Sequence, residues 1–184
     1  MNEQIQIFSG SDGLDIPDFY PDDLPIEWRF DYYSTNNLAL MLPINTNEDL
    51  EEILEEIDEE FKLVLEIDNA IDIKDVKNIV DTINDYKDKF ILFSKTVDVE
   101  LIAYIKNYNF CIESDKKITG FKNIENLYFN NFAIFVTKVS TNERDIRHLL
   151  ENLLSLNENI VLIHSSADYE TLDKANIISN LLVF

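Results

Sequence analysis

The chain has 184 residues, of which 36 are Asp or Glu and 15 are Lys or Arg, for a net charge of −21 at pH 7. Its hydrophobic fraction of 46% excludes a disordered chain and predicts a full hydrophobic core within a single α/β domain spanning residues 1–184. The negative charge is repelled by nucleic acid and by anionic membranes over most of the surface, and it favours a basic partner.

Cysteine content and the apolar runs indicate the compartment. Cys111 is the single cysteine, which excludes an intrachain disulfide and a zinc site built from paired thiolates. Residues 1–8 lack a basic region followed by a long apolar stretch, so no signal peptide is predicted. The longest apolar run, residues 38–44, is too short to cross a bilayer. We therefore expect a soluble, cytoplasmic protein that contacts no membrane.

Short apolar runs typical of β-strands recur along the chain, and most are continuous, as in strands of a parallel sheet covered on both faces. The predicted strands are residues 5–8, 38–42, 61–67, 90–93, 110–112, 132–136, 160–163 and 181–184. Between them, apolar residues repeat at helical spacing. The clearest predicted helices are residues 47–60, 73–83, 101–105 and 146–154. Thr46 and Asp49 have the spacing of a helix-capping box.

Alternating strands and helices predict repeated βα units in a parallel sheet. Eight strands favour a small TIM-barrel-like fold, although such barrels usually need ~200–250 residues. An open doubly wound sheet is the alternative. The pattern is weakest in residues 120–127, where a helix is expected after the fifth strand, and in residues 168–180, which must contain the final helix.

The N-terminal segment holds the unusual residues of the chain. Residues 10–13 read Gly-Ser-Asp-Gly, residues 19–21 read Phe-Tyr-Pro, Trp28 is the single tryptophan, and residues 32–34 read Tyr-Tyr-Ser. This segment resembles the start of the YecE-like family, also called domain of unknown function 72, whose members are TIM-barrel-like. The family carries a glutamate and an aromatic pair on its second strand, whereas residues 40–46 here carry neither. The resemblance implies a barrel-like fold with a degenerate pocket, and no defined activity.

Ligands of parallel α/β folds bind beyond the carboxyl ends of the strands. The polar residues predicted at those ends are Ser9, Ser11, Asp12, Asn45, Glu66, Asp68, Ser94, Lys95, Glu113, Asp115, Thr137, Lys138, His164 and Ser165. For a small polar ligand, the predicted binding residues are Ser11, Asp12, Tyr20, Trp28, Lys95 and Lys138. The opposite interpretation is that such residues only cap helices. No cofactor is predicted.

Catalytic motifs are absent, so catalytic residues are weak candidates. Glu66, Asp68 and Glu113 have the oxygen ligands to hold a divalent cation, with His164 as a general base or a further ligand. His164 is adjacent to Ser165, but successive strand residues point to opposite faces, so the two do not form a catalytic pair by adjacency. The aspartate-rich residues 12–23 lack EF-hand spacing and are expected to form a structural lid.

An acid-rich predicted helix, residues 47–60, contains no basic residue. Each pair of like charges four residues apart destabilises a helix by roughly 0.2 to 0.5 kcal/mol, so the composition of this helix lowers its stability. A solvated face is the ordinary explanation. The functional explanation is a docking surface for a basic protein, formed by Glu51, Glu52, Glu55, Glu56 and Glu59.

Two functions from different classes follow. The leading hypothesis is a non-catalytic binding or protein-interaction module, with the N-terminal segment and the acidic helix as contact surfaces. The alternative is a metal-assisted hydrolase acting at the strand ends. A nucleic-acid mimic that acts as an inhibitor is a third, weaker hypothesis, since mimicry requires two tracks of acids across the fold.

Overall fold

A computed structural model describes residues 6–138 and 142–182, which form two compact units. Unit 1 consists of residues 6–40, 135–138 and 142–182, and unit 2 consists of residues 41–134. The chain passes between the units within two strands, Ala39–Pro43 and Phe132–Thr137. Across the described ranges, no helix has the length and apolarity needed to cross a membrane.

Unit 1 contains strands and helices from both ends of the chain. Its elements are β1 (Ile7–Asp12), a 3-10 helix (Ile26–Trp28), α1 (Arg29–Asn36), the start of β2 (Ala39–Pro43), the end of β8 (Phe132–Thr137), α5 (Glu143–Ser155), β9 (Asn159–His164) and α6 (Tyr169–Leu182). The strands are neighbours in the order β2-β1-β9-β8, and β1 and β9 are parallel. Helix α5 agrees with the helix predicted over residues 146–154, and it buries Ile146, Leu150 and Leu153 on one face.

Unit 2 contains the middle of the chain. Its elements are the rest of β2, α2 (Leu50–Glu56), β3 (Lys62–Ile67), α3 (Ile73–Thr82), a 3-10 helix (Asn84–Tyr86), β4 (Phe90–Ser94), α4 (Val99–Ile105), β5 (Phe110–Glu113), β6 (Lys122–Ile124), β7 (Leu127–Phe129) and the start of β8. The strand order is β6-β7-β5-β4-β3-β2. Strand β4 is parallel to both β3 and β5, whereas β7 is antiparallel to β5 and β6.

The architecture is therefore a mixed α/β fold, and the predicted all-parallel sheet of repeated βα units is not confirmed. The disagreement lies in residues 120–127, where a helix was expected and the chain instead forms the β6–β7 hairpin. This hairpin turns at Glu125, which adopts φ 52°, and Asn126. A two-residue connection permits only antiparallel pairing of β6 with β7, and β7 also lies antiparallel beside β5.

The first and last predicted strands also change. Strand β1 begins at Ile7 and continues to Asp12, so the Gly-Ser-Asp segment is strand rather than loop, while Ile5 lies outside the described residues. Leu181 and Leu182 end α6 instead of forming a strand, and residues 183–184 lie outside the described residues. An apolar run of four residues suits a strand or the end of a helix equally, and here the helix continues.

Helix starts in unit 2 explain part of the acid content. The side chains of Asp49, Asp72 and Asp98 accept hydrogen bonds from backbone N–H groups in the first turns of α2, α3 and α4. The predicted cap at Thr46 is wrong, since Thr46 accepts a bond from the Glu48 N–H instead and α2 starts after Asp49. Aspartate is favoured at this position because it satisfies an N–H that the helix leaves unpaired.

Gly10 lies at a close approach of β1 to β2 in unit 1. A methyl group at this position would overlap the Ala39 carbonyl oxygen and lie 2.9 Å from the Tyr33 hydroxyl oxygen. Gly13 differs, because its surroundings are open and its φ of +85° is what favours glycine. The two glycines of this segment are thus required for different reasons, a close contact and a left-handed backbone.

We expect Gly10→Ala to destabilise the protein by about 3 kcal/mol, because the new methyl group must displace either backbone or the buried Tyr33 ring. Gly13→Ala is the matched control and should cost only about 1 kcal/mol, the strain of a left-handed alanine. Urea unfolding followed by circular dichroism measures both. Equal losses for the two variants would show that the close approach at Gly10 does not constrain the fold.

Candidate functional site

The Tyr33 hydroxyl is the centre of a buried hydrogen-bond network in unit 1. It donates to the Ala39 carbonyl oxygen at 2.6 Å and accepts from the Ser11 N–H at 2.7 Å. The Ser11 hydroxyl lies 2.9 Å from the Tyr33 hydroxyl and donates to the Gly13 carbonyl oxygen at 2.7 Å. Tyr33 is fully buried, and this burial raises the pKa of its phenol, so it stays a neutral donor.

This network assigns Ser11 a structural role. The residue is 1% exposed, and its hydroxyl is held between two protein oxygens. A nucleophile needs a base within reach and access to substrate, and Ser11 shows neither in this arrangement. The prediction that Ser11 contacts a ligand was based on its position in a loop after β1, and the strand actually continues through Ser11 to Asp12.

His164, at the end of β9, pairs with Ser9 rather than with Ser165. Its Nε2 atom lies 2.9 Å from the Ser9 hydroxyl oxygen, and both side chains are at least 98% buried. The other ring nitrogen, Nδ1, is buried and has no hydrogen-bond partner in the part of the chain that the structure describes. A catalytic serine–histidine pair has a third group that orients the histidine through this second nitrogen.

Burial of His164 lowers the pKa of its imidazole to about 4. Burial is the cause of this shift, because desolvation disfavours the charged form of the ring. At neutral pH the ring is therefore uncharged, and taking a proton would cost the folded state free energy. A neutral buried imidazole that holds Ser9 in place is a packing element of unit 1.

The loop between β1 and α1 packs as a small aromatic cluster. Phe19 is buried, and its ring contacts those of Tyr20, Tyr32, Tyr33 and Tyr169 at centroid distances from 4.9 to 6.0 Å. The Tyr20 hydroxyl donates to the Leu14 carbonyl oxygen at 2.7 Å, which fixes the ring within the loop. Arg29 lies 5.0 Å from the Tyr20 ring centroid and 3.5 Å from Asp15. Tyr20 is predicted to bind a ligand, and the contacts that the structure gives it include those within this loop and with Arg29.

Trp28 and Ile26 stand apart from that cluster. Trp28 is 60% exposed and Ile26 is 76% exposed, and both lie in the 3-10 helix that leads into α1. None of the residues of this 3-10 helix is buried. The remaining ligand candidates of unit 1, Asp12 and Lys138, are exposed at the carboxyl ends of β1 and β8.

The predicted catalytic acids belong to unit 2. Glu66 lies within β3 and is half-buried, Asp68 follows β3 and accepts a hydrogen bond from the Ala70 N–H, and Glu113 ends β5 and accepts from Asn126 at 3.4 Å. In residues 6–138 and 142–182, no three His, Cys, Asp or Glu side chains are placed to hold a metal ion. The predicted convergence of Glu66, Asp68 and Glu113 on a cation is therefore not found.

Three other residues of unit 2, in or just after its strands, have simple surroundings. Ser94 is buried at the end of β4, where its hydroxyl accepts from the Thr96 N–H at 3.0 Å. Lys95 is exposed, with its ammonium 6.0 Å from the Phe93 ring centroid. Cys111 is fully buried, and burial raises the pKa of its thiol to about 12, which leaves it unreactive at neutral pH.

The acidic residues of α2 and the segment after it are exposed, and they form what we call the α2 acidic surface: Glu51, Glu52, Glu55, Glu56 and Glu59. The helix itself, Leu50–Glu56, is shorter than predicted. Its buried side chains are Leu50, Ile53 and Leu54, which anchor it in unit 2. Hydrophobic anchoring explains how the helix tolerates acids on its outer face.

Sequence reasoning missed the lysines that support this helix. The Lys89 ammonium donates to the carbonyl oxygens of Leu54 and Ile57 at 2.8 Å each. The Lys62 ammonium donates to the Glu59 carbonyl oxygen at 2.7 Å, and burial lowers the pKa of Lys62. A cation at a helix C-terminus satisfies unpaired carbonyls and offsets the negative end of the dipole. Lys89 is more than 30 residues from the carbonyls that it binds, and Lys62 lies within the strand that follows, so no pattern within the helix itself reveals them.

Comparison with protein-family models, with curated proteins and with solved structures finds no match for this chain.

We expect Lys89→Met to destabilise the protein by about 2 kcal/mol, because two carbonyl oxygens at the end of α2 lose a charged donor. Lys87→Met is the matched control, since the Lys87 side chain is exposed. Amide hydrogen exchange should accelerate in α2 of the Lys89 variant and stay unchanged in the control. Unchanged exchange in both variants would contradict the capping role of Lys89.

His164 makes stability depend on pH. Between pH 6.5, the ordinary imidazole pKa, and the folded value of about 4, the unfolded chain binds a proton that the folded chain excludes. Stability is therefore lost as pH falls through this window, by about 2 kcal/mol between pH 7 and pH 5. His164→Gln preserves a group near Ser9 and should remove this increment, as measured by urea unfolding at the two pH values.

His148→Gln is the matched control, because His148 is the other histidine and is exposed on α5. This variant should lose as much stability as the wild-type protein between the two pH values. If His164→Gln loses the same amount too, the buried imidazole is not the source of the pH dependence.

Proposed function

We propose that the chain is a non-catalytic protein-interaction module that binds a basic partner through the 3-10 helix before α1. The exposure of Trp28 and Ile26 is the observation that carries this proposal. Large apolar side chains are normally buried, and tryptophan is among the residues most enriched at the energetic centres of protein interfaces. We call Ile26 and Trp28, with the acids beside them in sequence, the Trp28 surface.

Charge defines the partner. The exposed acids that flank the two apolar residues along the chain are Asp22, Asp23, Glu27 and Asp31. A partner that fits the Trp28 surface presents an apolar pocket bordered by Lys or Arg side chains, since acids at the rim favour a positive potential on the other side. The α2 acidic surface is a second region with the same preference.

Several observations support a non-catalytic role. The hydroxyls of Ser9 and Ser11 are committed to His164 and to the Tyr33 network, and the His164 imidazole is buried and neutral at physiological pH. The acids that a metal-assisted hydrolase would use have structural partners or lie in separate strands. A hydrolase at the strand ends therefore receives no support from the arrangement of these residues.

Other expectations stay predictions. Four of them rest on the sequence: the cytoplasmic location, the single-domain organisation, the relationship to the YecE-like family and the closure of the strands into a small TIM-like barrel. Gly10, Ser11 and Tyr33, three of the residues that carry the resemblance, take part in one structural network. The proposed interaction does not depend on any of these expectations.

Trp28 is the single tryptophan, so its fluorescence reports on the proposed surface directly. Peptides that combine Lys or Arg with apolar residues would be selected for binding to the protein from a display library. We expect a selected peptide to shift the Trp28 emission to the blue and to protect it from iodide quenching. Ile26→Ser should weaken this peptide about tenfold, because it removes one apolar side chain from the contact.

Val99→Ser is the matched control, since Val99 is also apolar and is 84% exposed, at the start of α4 in unit 2. This variant should bind the peptide like the wild-type protein. Peptides that bind without changing the Trp28 emission, and with equal affinity for the Ile26 variant, would place the interaction elsewhere and reject the Trp28 surface.

A further inference from the structure

A polar pocket of about 340 Å³ lies within unit 1, between the last turn of α1 and the second half of α6. The residues of β1 that line it are Ile7 and Ser9, so the pocket is at the amino end of this strand. The sequence predicts ligands at the opposite, carboxyl ends of the strands. Its volume is at the lower end of the range of small-molecule sites, about 300 to 1,000 Å³.

The described lining of the pocket differs in charge from the rest of this protein. Charged residues make up 28% of the chain, so a lining of this size would be expected to include about three of them. The described residues that line the pocket include none. They instead provide side-chain amides, on Gln6, Asn36, Asn37, Asn176 and Asn180. Each amide offers two donors and an acceptor, so the wall suits a ligand that both donates and accepts hydrogen bonds.

Part of this wall is held in place by its own bonds. The Asn176 side-chain N–H donates to the Asn36 carbonyl oxygen at 2.8 Å and to the Asn37 side-chain oxygen at 3.0 Å. Asn37 is 2% exposed and donates to the Tyr33 carbonyl oxygen at 3.3 Å. These contacts join the end of α1 to α6 and pre-organise the amides, which lowers the entropy cost of binding.

Other groups in the pocket have unused hydrogen-bonding capacity. Ser179 is 92% buried, and its hydroxyl makes no hydrogen bond to another residue in the ranges that the structure describes. The side chains of Gln6 and Asn180 likewise have no such bond within those ranges. A ligand in the pocket can bond to these groups, and each hydrogen bond formed on binding adds to the affinity.

We propose that this pocket binds a neutral, polyhydroxylated small molecule of about monosaccharide size. Hydroxyl groups both donate and accept, which matches the amides and Ser179. The described lining residues carry no charge, which disfavours phosphorylated or ionised ligands. The inference is independent of the proposed partner binding, because the Trp28 surface lies at the start of α1 and this pocket at its end.

The test uses the full chain and a panel of glucose, galactose, mannose and inositol, together with a hexose phosphate, a hexosamine and a hexuronate. Binding is measured by saturation-transfer NMR and by shifts of the side-chain amide signals of Asn176 and Asn180. We expect at least one neutral compound to bind saturably and to shift these signals, with its charged analogues binding at least tenfold more weakly. A free sugar and the terminal sugar of a glycan are distinguished by repeating the titration with methyl glycosides and a disaccharide.

Asn180→Ala and Ser179→Ala should each weaken the bound neutral compound about fivefold, the loss of one hydrogen bond. Asn180 is exposed and its side chain has no bond to lose among the described residues, so this variant should fold normally. Asn152→Ala on α5 is the matched control and should bind like the wild type. No saturable binding by any neutral compound, tighter binding of a charged analogue, or unchanged affinity in both pocket variants would overturn the proposal.

Discussion

The fold of unit 1 depends on one close contact, in which β1 passes the start of β2 at a distance that only glycine permits. Gly10 leaves room for the Ala39 carbonyl oxygen, and the Tyr33 hydroxyl fills the remaining space while bonding to that oxygen and to the Ser11 N–H. The Ala39 carbonyl and the Ser11 N–H are thus both paired by the Tyr33 hydroxyl, a side-chain group from α1. This bond fixes where α1 lies on the strands, and therefore sets both the Trp28 surface at one end of α1 and the polar pocket at the other.

The same contact explains why residues that suggest chemistry serve the structure instead. Serine, histidine and tyrosine in this unit form pairs with each other because a buried polar group must find a partner. Ser9 has the His164 ring, and Ser11 has Tyr33 and the Gly13 carbonyl oxygen. Residue type alone cannot separate a catalytic serine from a serine that only pairs a buried polar group. The difference lies in how buried the serine is and in whether the histidine bonded to it has a further partner of its own. In a catalytic pair, a third group would orient the histidine ring through Nδ1. The Nδ1 atom of His164 has no hydrogen-bond partner among the described residues.

Local periodicity predicted most helices and the interior strands, because apolar spacing within ten residues reflects local geometry. It failed where a short segment has two stable outcomes. Residues 120–127 have too few apolar residues for a helix, and pairing with β5 makes them a hairpin. Leu181 and Leu182 extend α6 because the preceding turns are already helical. The site was less predictable than the fold. The support of α2 by Lys89, and the assembly of amides from α1 and α6, join residues more than 30 positions apart, which no local pattern reveals.

The net charge of −21 shapes how any partner is recognised. Aspartates at three helix starts and Lys89 on the carbonyls at the end of α2 use some charges internally. The acids that remain exposed attract cations at long range. Salt at physiological concentration screens that attraction beyond about 8 Å, so charge alone accelerates encounter without holding a complex. Lasting affinity has to come from desolvated apolar contact. Ile26 and Trp28 supply it beside acids, whereas the exposed acids of α2 surround no comparable apolar side chain in the described residues. The Trp28 surface is therefore the stronger of the two acidic regions as a binding site.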